Sequence, residues 1–194
     1  MRNIIKILFL VGISLSVSAG EQGCLKDRWE EVSSNDKDKE FDLKHDLDKD
    51  GGNYSCNSYL SAAEINMFLS ELKDAIKAND VKSVAEMVRY PLNVALDETF
   101  IDNEGHQKHS SFDVKDKQEF IDNYNKIMTA SVRKIVDCST LKNMFAMPSQ
   151  GVLMANGEFI FGRNFNLEKR TIHIFSVIAG KRSHEKWLHA NCSS

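Results

Sequence analysis

The fold is decided by the stretch from Ser61 to Asp97, which reads SAAEINMFLSELKDAIKANDVKSVAEMVRYPLNVALD. Ser61 is followed three residues later by Glu64, which is the spacing of a capping box at the start of a helix. Apolar residues then recur at helical spacing in two successive segments, and beyond Pro91 they alternate with polar residues as in a half-buried strand. The predicted apolar faces are Ile65, Phe68, Leu69, Leu72 and Ile76 on the first helix, Val81, Val84, Ala85 and Val88 on the second, and Leu92, Val94 and Leu96 on the strand. The sequence therefore predicts two packed helices that run into a strand, with Pro91 ending the second helix.

The first 19 residues have the features of a secretory signal peptide. Arg2 and Lys6 supply the basic end of an apolar run from Ile4 to Val17, and Val17-Ser18-Ala19 is a small-residue cleavage pattern. The run is too short for a good membrane span. Cleavage after Ala19 removes two of the 25 basic residues, so 23 bases face 28 acids and the net charge becomes about −5 with His neutral. We therefore expect a periplasmic or secreted bacterial protein without a membrane span after cleavage, and no nucleic acid or anionic membrane as a partner.

All four cysteines, Cys24, Cys56, Cys138 and Cys192, remain after cleavage. In an oxidising compartment an even set indicates two disulfides, and no C-x-x-C spacing supports a zinc site. Of the three pairings we favour Cys24–Cys56, which ties the N-terminal arm to the first helix, and Cys138–Cys192, which ties the C-terminal tail to the core; one free pair is the alternative. Each disulfide closes a loop of several tens of residues and is expected to stabilise the fold by about 3–4 kcal/mol.

Residues 20–58 are predicted to be a charged N-terminal arm, solvated and partly ordered by the first disulfide, ahead of a single α+β domain at 59–194. Within this arm Asp46, Asp48 and Asp50 precede Gly51 with the spacing that opens a calcium loop, because calcium binds several carboxylate oxygens on a tight glycine turn. The twelfth position is Asn57 instead of a bidentate Glu. The sequence leaves two interpretations, a calcium site and a plain acidic turn, and no pattern predicts any other cofactor.

The second half of the chain predicts one long helix followed by antiparallel strands. Asp116 begins the helix, and apolar residues at helical spacing continue it to Val136. Asn156-Gly157 predicts a two-residue type I′ turn that places Val152, Met154, Phe159 and Phe161 on one buried face. A strand at 170–178 is apolar on both faces and needs cover on both, one from the helices and the other from a second subunit in a homodimer. A last short strand is expected at Trp187-Leu188.

This order of elements resembles the nuclear-transport-factor-2-like family over about residues 62 to 178. The motifs that carry the resemblance are Arg89-Tyr90-Pro91-Leu92, Phe120-Ile121-x-x-Tyr124 and Gly151-Val152-Leu153-Met154-x-Asn156-Gly157-Glu158. The chain is most similar to small secreted bacterial members without an assigned activity. The resemblance implies helices packed on a curved antiparallel sheet that forms a cone. Its ketosteroid-isomerase-like members use a pocket Asp as base with a Tyr on the first helix and a second acid as oxyanion donors, and here that helix has no Tyr, so those roles do not carry over.

Two classes of function fit these observations. One is a binding or interaction module for an unidentified protein or small apolar molecule, and this is the class that we expect. The other is an isomerase- or hydratase-like enzyme on a small molecule, with Asp97, Tyr124 and His173 as candidate acid–base groups inside the cone. If Tyr124 and His173 face a common void, the enzyme is favoured. If Phe and Leu side chains fill the cone, the module is favoured.

Overall fold

A computed structural model of the chain describes residues 19–46, 53–101, 104, 107–164, 172–180 and 182–192, and describes only the backbone at 19–22, 97–101, 107–109 and 182–183. The helices of the described chain are α1 Ala19–Val32, α2 Asp36–His45, α3 Tyr54–Ser58, α4 Ala62–Lys77, α5 Val81–Glu86, α6 Lys117–Asp122, α7 Tyr124–Ile127, α8 Ala130–Cys138 and α9 Arg182–Asn191. The strands are β1 Val88–Ile101, β2 Gln107–Val114, β3 Phe145–Met147, β4 Gly151–Met154, β5 Phe159–Arg163 and β6 Ile172–Ile178. The predicted α+β class is confirmed.

The six described strands form one sheet in the order β2-β1-β6-β5-β4-β3. Neighbouring strands are antiparallel except for β1 and β6, which run parallel. A fully antiparallel sheet was therefore a wrong prediction. Parallel neighbours need a long crossover between them, and here the whole chain from β2 to β5 provides it.

The hairpin between β4 and β5 has the register that the sequence predicts. Val152 pairs with Phe161 and Met154 pairs with Phe159, and all four side chains are fully buried. The turn itself is longer than the predicted two residues. Met154 and Phe159 are the last pair, so Ala155 and Glu158 belong to the turn with Asn156-Gly157. The register survives because both turn lengths keep the same residues opposite one another.

A β-bulge in β6 changes which side chains of this strand share a face. Strict alternation places Ile174 and Val177 on opposite faces, yet both are fully buried. Phe161 pairs with Ile174 while Ile160 pairs with Ser176, so Phe175 is the extra residue. The extra residue shifts the alternation by one and brings both side chains to the same face. Phe175 instead lies under the guanidinium of Arg89, 5.4 Å from its ring centroid.

The predicted long helix from Asp116 to Val136 is three short helices. Asp116 caps α6 as predicted, since its side chain accepts a hydrogen bond from the backbone of Glu119. The helix is interrupted at Asn123, whose side chain donates to the carbonyl of Glu119, and α8 starts from a new cap at Thr129. Polar side chains that bind nearby backbone groups compete with a continuous helix.

Two other predicted element boundaries change. The strand expected to begin after Pro91 starts at Val88 and includes the proline, so Val88 lies on β1 and not on α5. The strand expected at Trp187-Leu188 is the helix α9. In that helix Trp187 is buried, and the helix packs on α8.

The core lies between the helices and one face of the sheet. Phe68 of α4 stacks on Phe161 of β5 with their ring centroids 4.9 Å apart. Around this pair, side chains from α4, α6, α8 and the sheet are fully buried, including Ile65, Leu72, Phe120, Ile135, Leu92 and Phe159. Burying side chains of this size stabilises the fold by about 1.5–3 kcal/mol each.

The charged N-terminal arm, predicted to be solvated, is helical where the structure describes it. Trp29 of α1 donates through its indole nitrogen to Asp42 of α2 at 2.8 Å, and Asp42 accepts from the backbone of Ala63 at 2.7 Å. Both predicted disulfides are confirmed, with S–S distances of 2.13 Å for Cys24–Cys56 and 2.05 Å for Cys138–Cys192. In the described part of the chain, no helix is long and apolar enough to cross a membrane.

Gly151 provides a direct test of the sheet geometry. Its φ is +103°, and a Cβ atom placed there would lie 2.5 Å from the backbone oxygen of Phe161. We expect Gly151→Ala to lower the free energy of unfolding by at least about 2 kcal/mol. The variant forces a residue with a side chain into a backbone conformation at positive φ and brings its Cβ atom into contact with the backbone of Phe161. Gly23→Ala is the control, since a Cβ there meets nothing within 4 Å. Urea denaturation measures the unfolding free energy of both variants. Equal unfolding free energies for Gly151→Ala and Gly23→Ala would contradict the close approach of β4 to β5 at Gly151.

Candidate functional site

A groove of about 530 Å³ lies between α4, α5 and the start of β6, and we call it the α4–α5 groove. It is lined by Glu64, Met67, Phe68 and Glu71 from α4, Ser83, Glu86 and Met87 from α5 and the residue after it, and Ile172 and His173 from β6. The groove therefore joins three segments that are far apart in sequence. Its lining combines apolar and acidic side chains, and none of the lining residues that the structure describes is Lys or Arg.

Helical spacing places the α4 residues along one wall of this groove. Glu64, Met67 and Glu71 are three and four residues apart, so they share one face of the helix. Met67 is 59% exposed and is the most exposed large apolar side chain among the described residues. The neighbouring Phe68 is 5% exposed because it turns toward Phe161 and the core.

The three glutamates of the groove differ in how they are held. Glu64 is bound through both carboxylate oxygens by the guanidinium of Arg28. Glu86 is paired with Lys117; the Glu86 side chain is 68% exposed and that of Lys117 is 42% exposed. Glu71 is exposed and makes no hydrogen bond or ion pair with any residue that the structure describes. The groove thus carries one fixed and two accessible carboxylates.

A ladder of charges connects the N-terminal arm to this groove. Arg163, at the end of β5, donates to both carboxylate oxygens of Glu31, at 2.9 and 2.7 Å. Glu31 also accepts from Arg28 at 2.6 Å, and Arg28 in turn holds Glu64. Arg28 and Arg163 are 4% and 6% exposed, so both charges are buried, and the carboxylates of the ladder compensate them. The ladder fixes α1 and the start of α4 against the C-terminal end of β5.

A second groove, of about 430 Å³ between α4 and α8, has the opposite charge. Its described lining has four basic side chains, Lys73, Lys77, Arg133 and Lys134, and one acidic side chain, Asp137. Burial lowers the pKa of the Lys73 ammonium, which donates to the carbonyl of Ser139 at 2.8 Å. Arg133 donates to the carbonyl of Met128 at 2.8 Å. Two of these four cations are therefore hydrogen-bonded to backbone carbonyls.

The three candidate catalytic residues lie in different surroundings. Tyr124 is buried in the core beside Phe120, with ring centroids 6.0 Å apart. Burial raises the pKa of its phenol, and the charge of Arg133 opposes the shift. His173 is half-buried in the α4–α5 groove, which Tyr124 does not line. Asp97 lies on β1, but its side chain is outside the described part of the structure. Tyr124 and His173 therefore do not share a cavity among those described.

Of the calcium candidates only Asp46 lies in the described part of the chain; Asp48 and Asp50 fall outside it. The Asp46 carboxylate is fully buried and accepts from the backbone nitrogen of Ser55 at 3.0 Å and from its hydroxyl at 2.5 Å. Burial raises the pKa of Asp46 to about 6, against these hydrogen bonds and with help from the charges of Asp42 and Glu64. Asp46 therefore holds α3 in place. Among the described residues, no group of three or more His, Cys, Asp or Glu side chains is arranged to hold a metal ion.

Sequence reasoning missed the α4–α5 groove. The only signal in the sequence was Met67, an apolar residue on the polar side of the α4 stripe between Glu64 and Glu71. Sequence reasoning also missed the charge ladder, because Glu31 and Arg163 are 132 positions apart and nothing local marks them as partners.

Asp46 makes the stability of the arm depend on pH. Its pKa of about 6 in the folded chain lies above the ordinary 3.8, so the folded state keeps a proton that the unfolded chain loses. The stabilisation is full below about pH 4 and is lost as the pH rises through 6. Relative to Asp46→Asn, we expect wild-type unfolding free energy to fall by up to about 3 kcal/mol between about pH 4 and pH 7. Urea denaturation at each pH measures this, and the same pH dependence of the unfolding free energy in wild type and Asp46→Asn would contradict it. Asp27→Asn, at an exposed position, is the control and should keep the wild-type pH dependence.

Calcium binding has its own test. A calcium ion on Asp46 would have to displace the hydrogen bonds from Ser55, so we expect added calcium or chelator to leave the melting temperature unchanged. Thermal denaturation followed by circular dichroism measures this. A calcium-dependent rise of several degrees that Asp48→Asn abolishes would contradict the expectation.

No family model matches this chain, and searches of curated proteins and of solved structures also return no match. Its function is therefore argued from its own geometry.

Proposed function

We propose that this chain is a secreted or periplasmic interaction module with the nuclear-transport-factor-2-like cone fold, which binds another protein through its surface. The order of elements supports the fold, since helices α4 and α5 lead into β1, and the later strands form the sheet on which α4 packs. The two disulfides and the expected signal peptide support the compartment, because such bonds persist in oxidising environments.

The observation that carries the proposal is the filled space between the helices and the sheet. Phe68, Phe161 and Leu72 are 5% exposed or less and belong to the core between α4 and the sheet. A small molecule inside the cone would have to displace these side chains, and emptying such a site costs about 3–5 kcal/mol for one Phe. Binding at the surface has no such cost.

The candidate acid–base groups support the same conclusion. General acid–base catalysis needs titratable groups that converge on one substrate. Tyr124 is packed in the core and His173 lines a surface groove, so the two do not act on a common molecule in any described cavity. A surface module needs no such convergence.

The outer face of the sheet is the other surface to consider, since the sequence predicts a homodimer there. Arg89 covers the ring of Phe175, and Asn93 donates to Asp113 across β1 and β2 at 2.9 Å. This part of the face is polar and satisfied within one chain. We therefore propose a different protein as the partner, and the homodimer stays a prediction.

The proposal is tested with the mature protein, residues 20–194, immobilised and exposed to envelope extract from its source organism. We expect one protein to be retained at a stoichiometry near one to one, because a specific interface excludes competitors. Mass spectrometry identifies the retained species, and size-exclusion chromatography of the purified pair measures the stoichiometry. Retention of a small molecule without any protein would overturn the module in favour of an enzyme.

A further inference from the structure

We infer that the α4–α5 groove binds a short amphipathic segment of a partner protein that carries Lys or Arg beside apolar side chains. This inference rests on the proposed function and names the surface and the chemistry that it uses. Two features of the groove carry it, an exposed apolar wall and two accessible carboxylates.

The apolar wall is formed by side chains that adapt to a ligand. Met67 is 59% exposed on α4, and the half-buried Met87 lies across from it at the end of α5. Methionine is flexible and polarisable, and it is used repeatedly on surfaces that accept helical segments. A volume of about 530 Å³ suits a few side chains of such a segment, not a large folded surface.

The carboxylates determine the sign of the partner's charge. Glu71 has no partner among the described residues, and the exposed pair of Glu86 with Lys117 is of a kind that contributes little. An incoming Lys or Arg therefore gains a carboxylate partner without breaking a buried ion pair. Glu64 keeps its geometry, because Arg28 holds it from the side of the arm.

Other occupants fit these features less well. Nucleic acid and anionic membranes are repelled by the glutamates and by the mature net charge of about −5 (23 bases and 28 acids). A neutral apolar molecule gains nothing from Glu71 and Glu86. A second copy of this chain could offer the basic groove between α4 and α8, and self-association is therefore one outcome of the test.

The test uses a fluorescent helical peptide of about 14 residues with Leu at i, i+3, i+4 and i+7 and Lys elsewhere. Two control peptides replace Lys with Glu or scramble the same composition. We expect the Lys–Leu peptide to bind mature protein in fluorescence anisotropy with an affinity that falls with salt. The scrambled and Glu-containing peptides should bind at least about tenfold more weakly.

The variants locate the binding. Glu71→Lys combined with Glu86→Lys should weaken the Lys–Leu peptide by about tenfold or more, and Met67→Ala by about threefold. The matched controls are Glu30→Lys with Glu40→Lys, which change the net charge equally on exposed parts of α1 and α2, and Met147→Ala on β3. These should leave the affinity within about twofold. Thermal melting verifies that each variant is folded.

Three results would overturn the inference. The first is that Glu30→Lys with Glu40→Lys weakens the Lys–Leu peptide as much as Glu71→Lys with Glu86→Lys does. The second is that the scrambled peptide binds as tightly as the Lys–Leu peptide. The third is that the protein self-associates as its concentration rises and that Glu71→Lys with Glu86→Lys abolishes this self-association. The proposed function fails separately. If Glu71→Lys with Glu86→Lys still retains a partner from the envelope extract, the chain is an interaction module that does not use the groove. If no partner is retained by the wild-type protein, the interaction module itself is wrong.

Discussion

The structure depends on the stacking of Phe68 against Phe161, because this contact joins the α4 helix to the centre of the sheet. With that side of α4 committed to the core, the rest of the helix is available for two other tasks. Its first turn receives the N-terminal arm, through Asp42 at the backbone of Ala63 and through Arg28 at Glu64. Its exposed side, with Met67 and Glu71, forms the wall of a groove. One helix therefore organises the core, the arm and the candidate site.

Much of the domain could be predicted because its signals are local. The capping box at Ser61 involves residues three positions apart, and the register of the β4–β5 hairpin follows from Asn156-Gly157 and alternating burial. The disulfide pairing followed from few alternatives and the oxidising compartment. The bulge at Phe175 and the interruption at Asn123 were not predictable, since each depends on how a strand or a backbone carbonyl is already placed by its neighbours.

The arm and the groove show where sequence reasoning ends. Helices α1 and α2 have no apolar stripe that periodicity would detect, and the contacts that hold them are polar: Trp29 with Asp42, and Glu31 with Arg28 and Arg163. Such pairs are visible only when distant segments have been brought together. The groove is likewise assembled from α4, α5 and β6, so only its α4 wall, marked by Met67, has any trace in the sequence.

The disulfides have a mechanical consequence. Cys24 lies in α1 and is bonded to a residue 32 positions further on, while Cys192 is bonded to one 54 positions earlier. A force that pulls on the chain outside Cys24 and Cys192 bypasses the elements inside the two loops, which include α2, β3 to β6 and α9, and acts directly on the chain between Cys56 and Cys138. A processive protease that reaches either loop therefore meets a covalent crosslink, and it can extend the chain inside the loop only after a reductant has opened the bond.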